Sequence, residues 1–209
     1  MSSNQSQTTS ESVQLRRVHT ITDRFSMTNA YLVDEERLFV VDPGSERNVH
    51  LLITYIRYIL HRSIRDIDLI VLTHAYPEQR AAAETLRKQC FASIAAFGGG
   101  KQVQSERRIN IWLHDIEGLP GHPDWRVIAS LGHIPESFCL YNPFTRELLC
   151  GNTIRTMRGS AVLTRGSRSP AQLEETMHVL RSLPISYLYP GYGRALLSHS
   201  PLSRLDVER

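Results

Sequence analysis

Nine residues constrain this chain more than any others: Leu72-Thr73-His74-Ala75-Tyr76-Pro77-Glu78-Gln79-Arg80. They follow an apolar run, Ile67 to Leu72, that reads as a buried strand. They lead into a helix opening with Pro77 at a first-turn position, where a missing N–H is tolerated. A histidine leaving a buried strand, with a carboxylate four residues on at a helix start, aims polar side chains at one point. Strands followed by a helix, twice over along the chain, suggest sheets sandwiched between helices.

The rest of the chain supplies that architecture twice. Val18 to Ile21, Asn29 to Val33 and Leu38 to Val41 read as strands, with Asp34-Glu35-Glu36-Arg37 as a hairpin turn. Ser45 is a candidate N-cap for a helix over 46–62, whose apolar stripe is read as Leu51, Leu52, Tyr55, Ile56, Ile59 and Leu60. A second helix runs from Pro77 to about Gln89, and Phe91 to Phe97 is expected as a strand. In the second half, Ile111 to Leu113, Trp125 to Leu131, Ser137 to Tyr141 and Glu147 to Cys150 are expected strands. Ser169-Pro170-Ala171-Gln172 opens a helix with the marks of a capping box, and Leu173, Met177 and Leu180 form its buried stripe. Pro184 stops it, and Ile185 to Tyr189 is a last strand. Residues 1–12 carry almost nothing to bury and are expected to be a disordered tail, leaving 13–209 as one domain.

Composition narrows the function classes. The net charge of +3 comes from scattered arginines, with lysine only at Lys88 and Lys101, so no nucleic-acid surface is expected. No apolar run approaches the ~18 residues of a membrane span. Cys90, Cys139 and Cys150 form no CxxC pair, which fits a reducing, cytoplasmic setting. Gly98-Gly99-Gly100-Lys101 lacks the first glycine and the final Ser or Thr of a phosphate loop, and reads as a flexible turn.

Four segments, in order, resemble the metallo-β-lactamase superfamily, in particular its glyoxalase-II-like branch. Asn29 to Val33 with Val41-Asp42-Pro43-Gly44 is similar to the opening strands and their Asp-x-Gly turn. Thr73 to Gln79 is similar to the metal motif Thr-His-x-His-x-Asp-His. Gly132-His133-Ile134-Pro135-Glu136-Ser137, followed by Gly151-Asn152, resembles the next pair of motifs. Tyr189-Pro190-Gly191-Tyr192-Gly193 resembles Pro-Gly-His-Gly. His74-Ala75-Tyr76-Pro77-Glu78-Gln79 also resembles the oxygen-reducing domain of flavodiiron proteins. The resemblance implies a four-layer αββα sandwich, with two mixed sheets flanked by helices.

It also implies a metal site that has been taken apart. In active relatives two metals share a water whose lowered pKa makes it the attacking hydroxide. At the ligand positions this chain keeps His74 and His133, with Glu78 standing in for Asp. Tyr76, Gln79 and Tyr192 replace histidines, and Asn152 replaces the bridging Asp. A four-ligand zinc site is worth about 10–16 kcal/mol, or roughly 3 per ligand. Two histidines alone then hold a metal at about tens of micromolar. The expectation is a pseudoenzyme without a resident cofactor, used as a binding module or a homo-oligomeric scaffold.

Two alternatives stand beside it. A single zinc or iron ion on His74, His133 and either Glu78 or Asn152 would make a mononuclear hydrolase of esters or thioesters, with Glu78 as the catalytic group, or an enzyme resembling persulfide dioxygenases. A small-molecule sensor would use the vacated pocket, lined by Tyr76, Gln79 and Tyr192. His114 and His122, ahead of the Trp125 strand, are candidate replacement ligands. Asp42 is read as holding a turn, and Cys150 as a buried, inert thiol.

Overall fold

The computed structural model describes residues 17–98, 108–132, 134, 136–164, 169–198, 201–202 and 206–207. The expected tail, residues 1–12, lies outside them, as do Gly99 to Lys101 and His133.

The first half builds one sheet from β1 (Val18–Thr22), β2 (Asn29–Asp34), β3 (Leu38–Val41), β4 (Ile67–Leu72), β5 (Ser93–Phe97) and β6 (Ile111–Leu113), paired in that order. β1, β2 and β3 are antiparallel neighbours, and β3 to β6 are parallel. Two of the parallel steps cross over through α1 (Glu46–Tyr58) and α2 (Pro77–Cys90). The second half adds β7 (Gly118–Leu119), β8 (His122–Ala129), β9 (Phe138–Asn142) and β10 (Glu147–Gly151). A hairpin of β11 (Ile154–Met157) and β12 (Ser160–Leu163) follows, then α3 (Pro170–Ser182), β13 (Tyr187–Pro190), β14 (Leu196–Leu197) and β15 (Asp206–Val207). The second sheet runs β14-β13-β10-β9-β8-β7, and β15 joins the β11–β12 hairpin in a small third sheet.

Strand alternation explains the layers. In β3, Leu38 and Val40 face α1 and α2, while Phe39 and Val41 face the other sheet. In β9 and β10, Leu140 and Leu149 face the first sheet, and Cys139, Tyr141, Leu148 and Cys150 face α3. Three buried apolar layers therefore separate helix, sheet, sheet and helix. This is the expected αββα order. The family-level sandwich is present. No helix of the described residues is long and apolar enough to cross a membrane.

Four local expectations need correction. α1 ends at Tyr58, and its buried side is Asn48, Val49, Leu52 and Ile56, while Leu51 is 38% and Ile59 60% exposed. The stripe turned because Asn48 is pulled inward. It closes a capping box with Ser45, and its Nδ2 donates to the carbonyls of Ile21 and Thr28. Phe91 is no strand residue: it ends α2 in the left-handed conformation and is 76% exposed, so β5 starts at Ser93. Ser169 does precede Pro170, but its side chain makes no cap bond; its backbone N–H donates to Gly132 instead. The β11–β12 hairpin was not foreseen, because Ile154 to Leu163 carries no simple alternation around Arg158-Gly159.

Candidate functional site

The C-terminal ends of strands from both sheets meet at one end of the sandwich. His74 leaves β4, Asn152 leaves β10 and Tyr192 leaves β13. A buried hydrogen-bond chain joins the first two. Asp42 takes the backbone N–H of Thr73 at 2.9 Å and also the Thr73 hydroxyl. Since a carboxylate can only accept, the Thr73 proton is committed to Asp42, and Thr73 Oγ1 accepts from His74 Nδ1 at 3.0 Å. Asn152 Nδ2, which can only donate, lies 3.2 Å from His74 Nε2, so Nε2 is the acceptor of that bond. Every link is at least nine-tenths buried, so each bond made here spares a costly unpaired group.

Backbone geometry holds the chain in place. Asp42 sits at φ +49°, a left-handed turn that Asp tolerates better than most residues, so its expected turn role is also its site role. Gly151, also at φ +49°, lies where any Cβ would collide with the Thr73 side chain. Burial pushes the Asp42 carboxyl above its usual range, outweighing the neighbouring His74 ring and the bonds from Thr73, which pull the other way. The turn bearing Tyr192 is fixed from β2: Asn29 Nδ2 donates to the carbonyls of Pro190 and Gly193 at 2.8 and 2.7 Å, and the Tyr31 hydroxyl donates to Pro190. Thr73, Asn29 and Tyr31 were not given roles from sequence. The Thr preceding the motif histidine is the one signal that pointed to Thr73.

The remaining site residues are placed differently from one another. Gln79 is buried, but its Oε1 turns to accept the Gly44 N–H at 2.8 Å and bonds neither tyrosine nor His74. Tyr76 stands edge-on to His74 with ring centroids 5.0 Å apart, yet is 46% exposed. Tyr192 is 40% exposed. Both rings are part-exposed and so form a rim, not a plug. Burial raises the Tyr192 pKa, and the charges of Glu78 and Asp42, with Tyr76, push it the same way. Glu78 is exposed in the first turn of α2.

These donors do not suit a two-metal centre. His74 Nε2, the lone pair a metal would take, faces an amide N–H donor. Gln79 spends its oxygen on the backbone. Among the described residues no group of three or more His, Cys, Asp or Glu side chains is placed to hold a metal.

Neither substitute histidine reaches the site. His122 is 2% exposed at the opposite end of the sheets, between Glu35 and Asp68 at 2.8 and 3.0 Å. Asp68 lies near the start of β4, whereas His74 follows its end, so about 20 Å of strand separates the carboxylate that holds His122 from His74. His122 is therefore not placed to replace a lost ligand: its two ring nitrogens are spent on carboxylates. His114 is exposed after β6, two strands from β4, where its backbone N–H donates to Glu117. Cys150 is fully buried, and burial holds its thiol well above the usual range.

The comparisons with known proteins agree with this fold. The sequence profile of the metallo-beta-lactamase superfamily matches residues 23–192. BLEG-1 B3 metallo-beta-lactamase shares the fold with a TM-score of 0.67 at 19% identity, over 86% of this chain and 93% of that one. TTHA1623, solved in a di-iron-bound form, does so at 0.62 and 22%, over 81% and 89%. The chemotaxis sensor ODP, solved as a peroxy diiron species, matches at 0.64 and 20%, over 83% and 82%. No curated protein sequence matches at a significant level. The chain belongs to the metallo-beta-lactamase superfamily.

Proposed function

We propose that this chain is a binding module built on a metallo-β-lactamase fold, and not a hydrolase. One observation carries the reading: His74 Nε2 accepts an amide proton from Asn152 where a metal would sit. The atoms that would hold a metal thus satisfy one another. Random loss of ligands would leave buried polar groups unpaired, at a cost of about 1–3 kcal/mol each. Here Asn152, the one replacement in the chain, closes a continuous run of bonds from Asp42 through Thr73 and His74. The vacated mouth, rimmed by Tyr76 and Tyr192, is the binding surface. Three free, buried cysteines support a reducing, cytoplasmic setting.

One observation favours a second reading. The Asn152 amide already lies beside His74 Nε2, and its oxygen is the atom a metal would accept. A single zinc or iron on His74, Asn152 and His133 would then make a mononuclear enzyme, with Glu78 at its mouth. Metal analysis by mass spectrometry on tag-free protein separates the two. The binding module should hold less than about a tenth of an equivalent after incubation with zinc or iron. Stoichiometric metal, lost in His74→Ala, would establish the mononuclear enzyme and direct assays to thioesters and persulfides.

A further inference from the structure

The helix α1 has a second face. Val49, Leu52 and Ile56 are buried, whereas Glu46, His50, Thr54 and Arg57 are exposed and Ile53 is part-buried. With Val49 and Tyr58 these last five residues line a groove of about 500 Å³ along α1, and Thr85 and Gln89 of α2 form its other wall. Glu46, His50, Ile53 and Arg57 follow the i, i+4, i+7, i+11 spacing of a helix that packs along another helix. The ends of this stripe are oppositely charged. Arg57 follows Glu46 by three turns, about 16 Å along the axis and on the same side of it. Among the described residues neither side chain forms an ion pair. The α2 wall is uncharged, and the Thr54 hydroxyl already donates to the His50 carbonyl at 2.9 Å, so it needs no partner in the groove. A first-turn Glu and a last-turn Arg also suit the helix dipole. The dipole, however, asks only for position along the axis, not for one shared face with an apolar residue between the charges.

We propose that this groove takes α1 of a second copy of the chain, the two helices running antiparallel about a two-fold axis that passes between His50 and Ile53. Glu46 then meets the partner's Arg57, and Arg57 the partner's Glu46, so both ends are paired. At the centre His50 meets the partner's Ile53. A two-fold interface must be complementary to itself. A stripe with opposite charges at its ends and an apolar residue between them meets that condition only when antiparallel, since a parallel pair sets like charge on like. A small molecule in the groove would answer one charge and leave the other, because the two stand three turns apart. The inference goes beyond the binding-module reading and does not depend on it, since no residue of the stripe belongs to the candidate site.

The test is sedimentation velocity on the full chain. A contact of this kind lies at the small end of interface sizes, so the titration runs from roughly 1 to 500 μM. The wild type should pass from monomer to dimer across that range. Glu46→Arg and Arg57→Glu each set like charges together at both ends, and each should weaken the dimer at least about tenfold. Mixed in equal amounts, the two variants should associate to within about threefold of the wild type, because every end then pairs opposite charges. The double variant should do so by itself, for the same reason. Both positions are exposed, and a thermal melt of each variant verifies that it folds. A wild type that stays monomeric overturns the inference, as does a dimer that both single variants leave intact. Loss of the dimer in both variants, with no recovery in the mixture or in the double variant, overturns it as well.

Discussion

Two buried histidines sit at opposite ends of the same sandwich and are treated in opposite ways. His74 is one link in a chain of neutral donors and acceptors that starts at a single buried carboxylate, Asp42. His122 has a carboxylate on each ring nitrogen, Glu35 and Asp68, so both nitrogens must carry protons and the ring is a cation. Burial alone would push the His122 pKa down, but the bonds and charges of Glu35 and Asp68 outweigh it and hold the pKa above 6.5. Around it stand more ions. Arg62 bonds Asp34 and Asp66, Arg37 approaches Asp68, and the Trp125 indole donates to Glu35. The difference teaches which end is structural. At the His122 end the histidine is held between two carboxylates and ringed by further ion pairs. At the other end Asp42 is bonded within the protein, and Glu78, Tyr76 and Tyr192 are exposed.

The largest effect should come from cutting the neutral chain. Thr73→Val keeps the side-chain volume but strands the Asp42 oxygen and His74 Nδ1, both buried. A loss of about 3 kcal/mol is expected, since a charged group is among those left unpaired. For a chain of this size that is a fall of roughly 6–12 °C in melting temperature. A fall under about 2 °C would mean that the chain contributes little.

Asn152→Asp tests the contrast through metal. It replaces the amide donor at His74 Nε2 by an acceptor, adding one anionic ligand worth roughly 3 kcal/mol, or about a hundredfold in zinc affinity. Zinc titration followed by His74→Ala reports it. His122→Gln in the same background should leave zinc binding as it was, because the carboxylates there flank the ring on opposite sides and do not converge. Equal zinc uptake with and without His74 would remove the distinction between the two ends.

Acid and base should separate the ends next. A raised histidine pKa stabilises fully below the unfolded value of 6.5, and that contribution is lost as pH rises through the folded pKa. His122→Gln should therefore cost about 2 kcal/mol near pH 6, a figure discounted for the one-third exposure of Asp68, and progressively less in alkali. Urea unfolding at the two pH values measures it; an equal cost at both would show that the ring is not held as a cation.

Asp42 supplies the smallest effect, in a different window. Its carboxyl pKa is raised by burial, so the charged form costs stability. The penalty is absent below the unfolded value of 3.8 and grows as pH rises from there through the folded pKa. Asp42→Asn should flatten that limb of the stability curve and leave the alkaline limb to His122. A change confined to the alkaline limb would contradict the assignment of both groups.

The αββα architecture was legible because strand and helix periods differ. Phe39 beside Val40, or Leu140 beside Cys139, can only be two faces of one strand, and Pro77 or Ser45 can only open a helix where they stand. Motif order likewise put His74, Asn152 and Tyr192 at strand ends. Where those ends go was not written locally. The turn of α1 was set by Asn48 reaching Ile21 and Thr28, more than twenty residues back in its farther bond. Gln79 looked like a pocket residue until Gly44, 35 residues away, claimed its oxygen. His122 looked like a spare ligand until Glu35 and Asp68 closed on it from the far end.

Residue types and their spacing thus determined the elements, the superfamily and the loss of metal-binding side chains, since these depend on chemistry within one turn or strand. Tertiary structure alone decided which polar atom met which. A hydrogen bond is settled by tenths of an ångström between segments that the chain brings together only on folding.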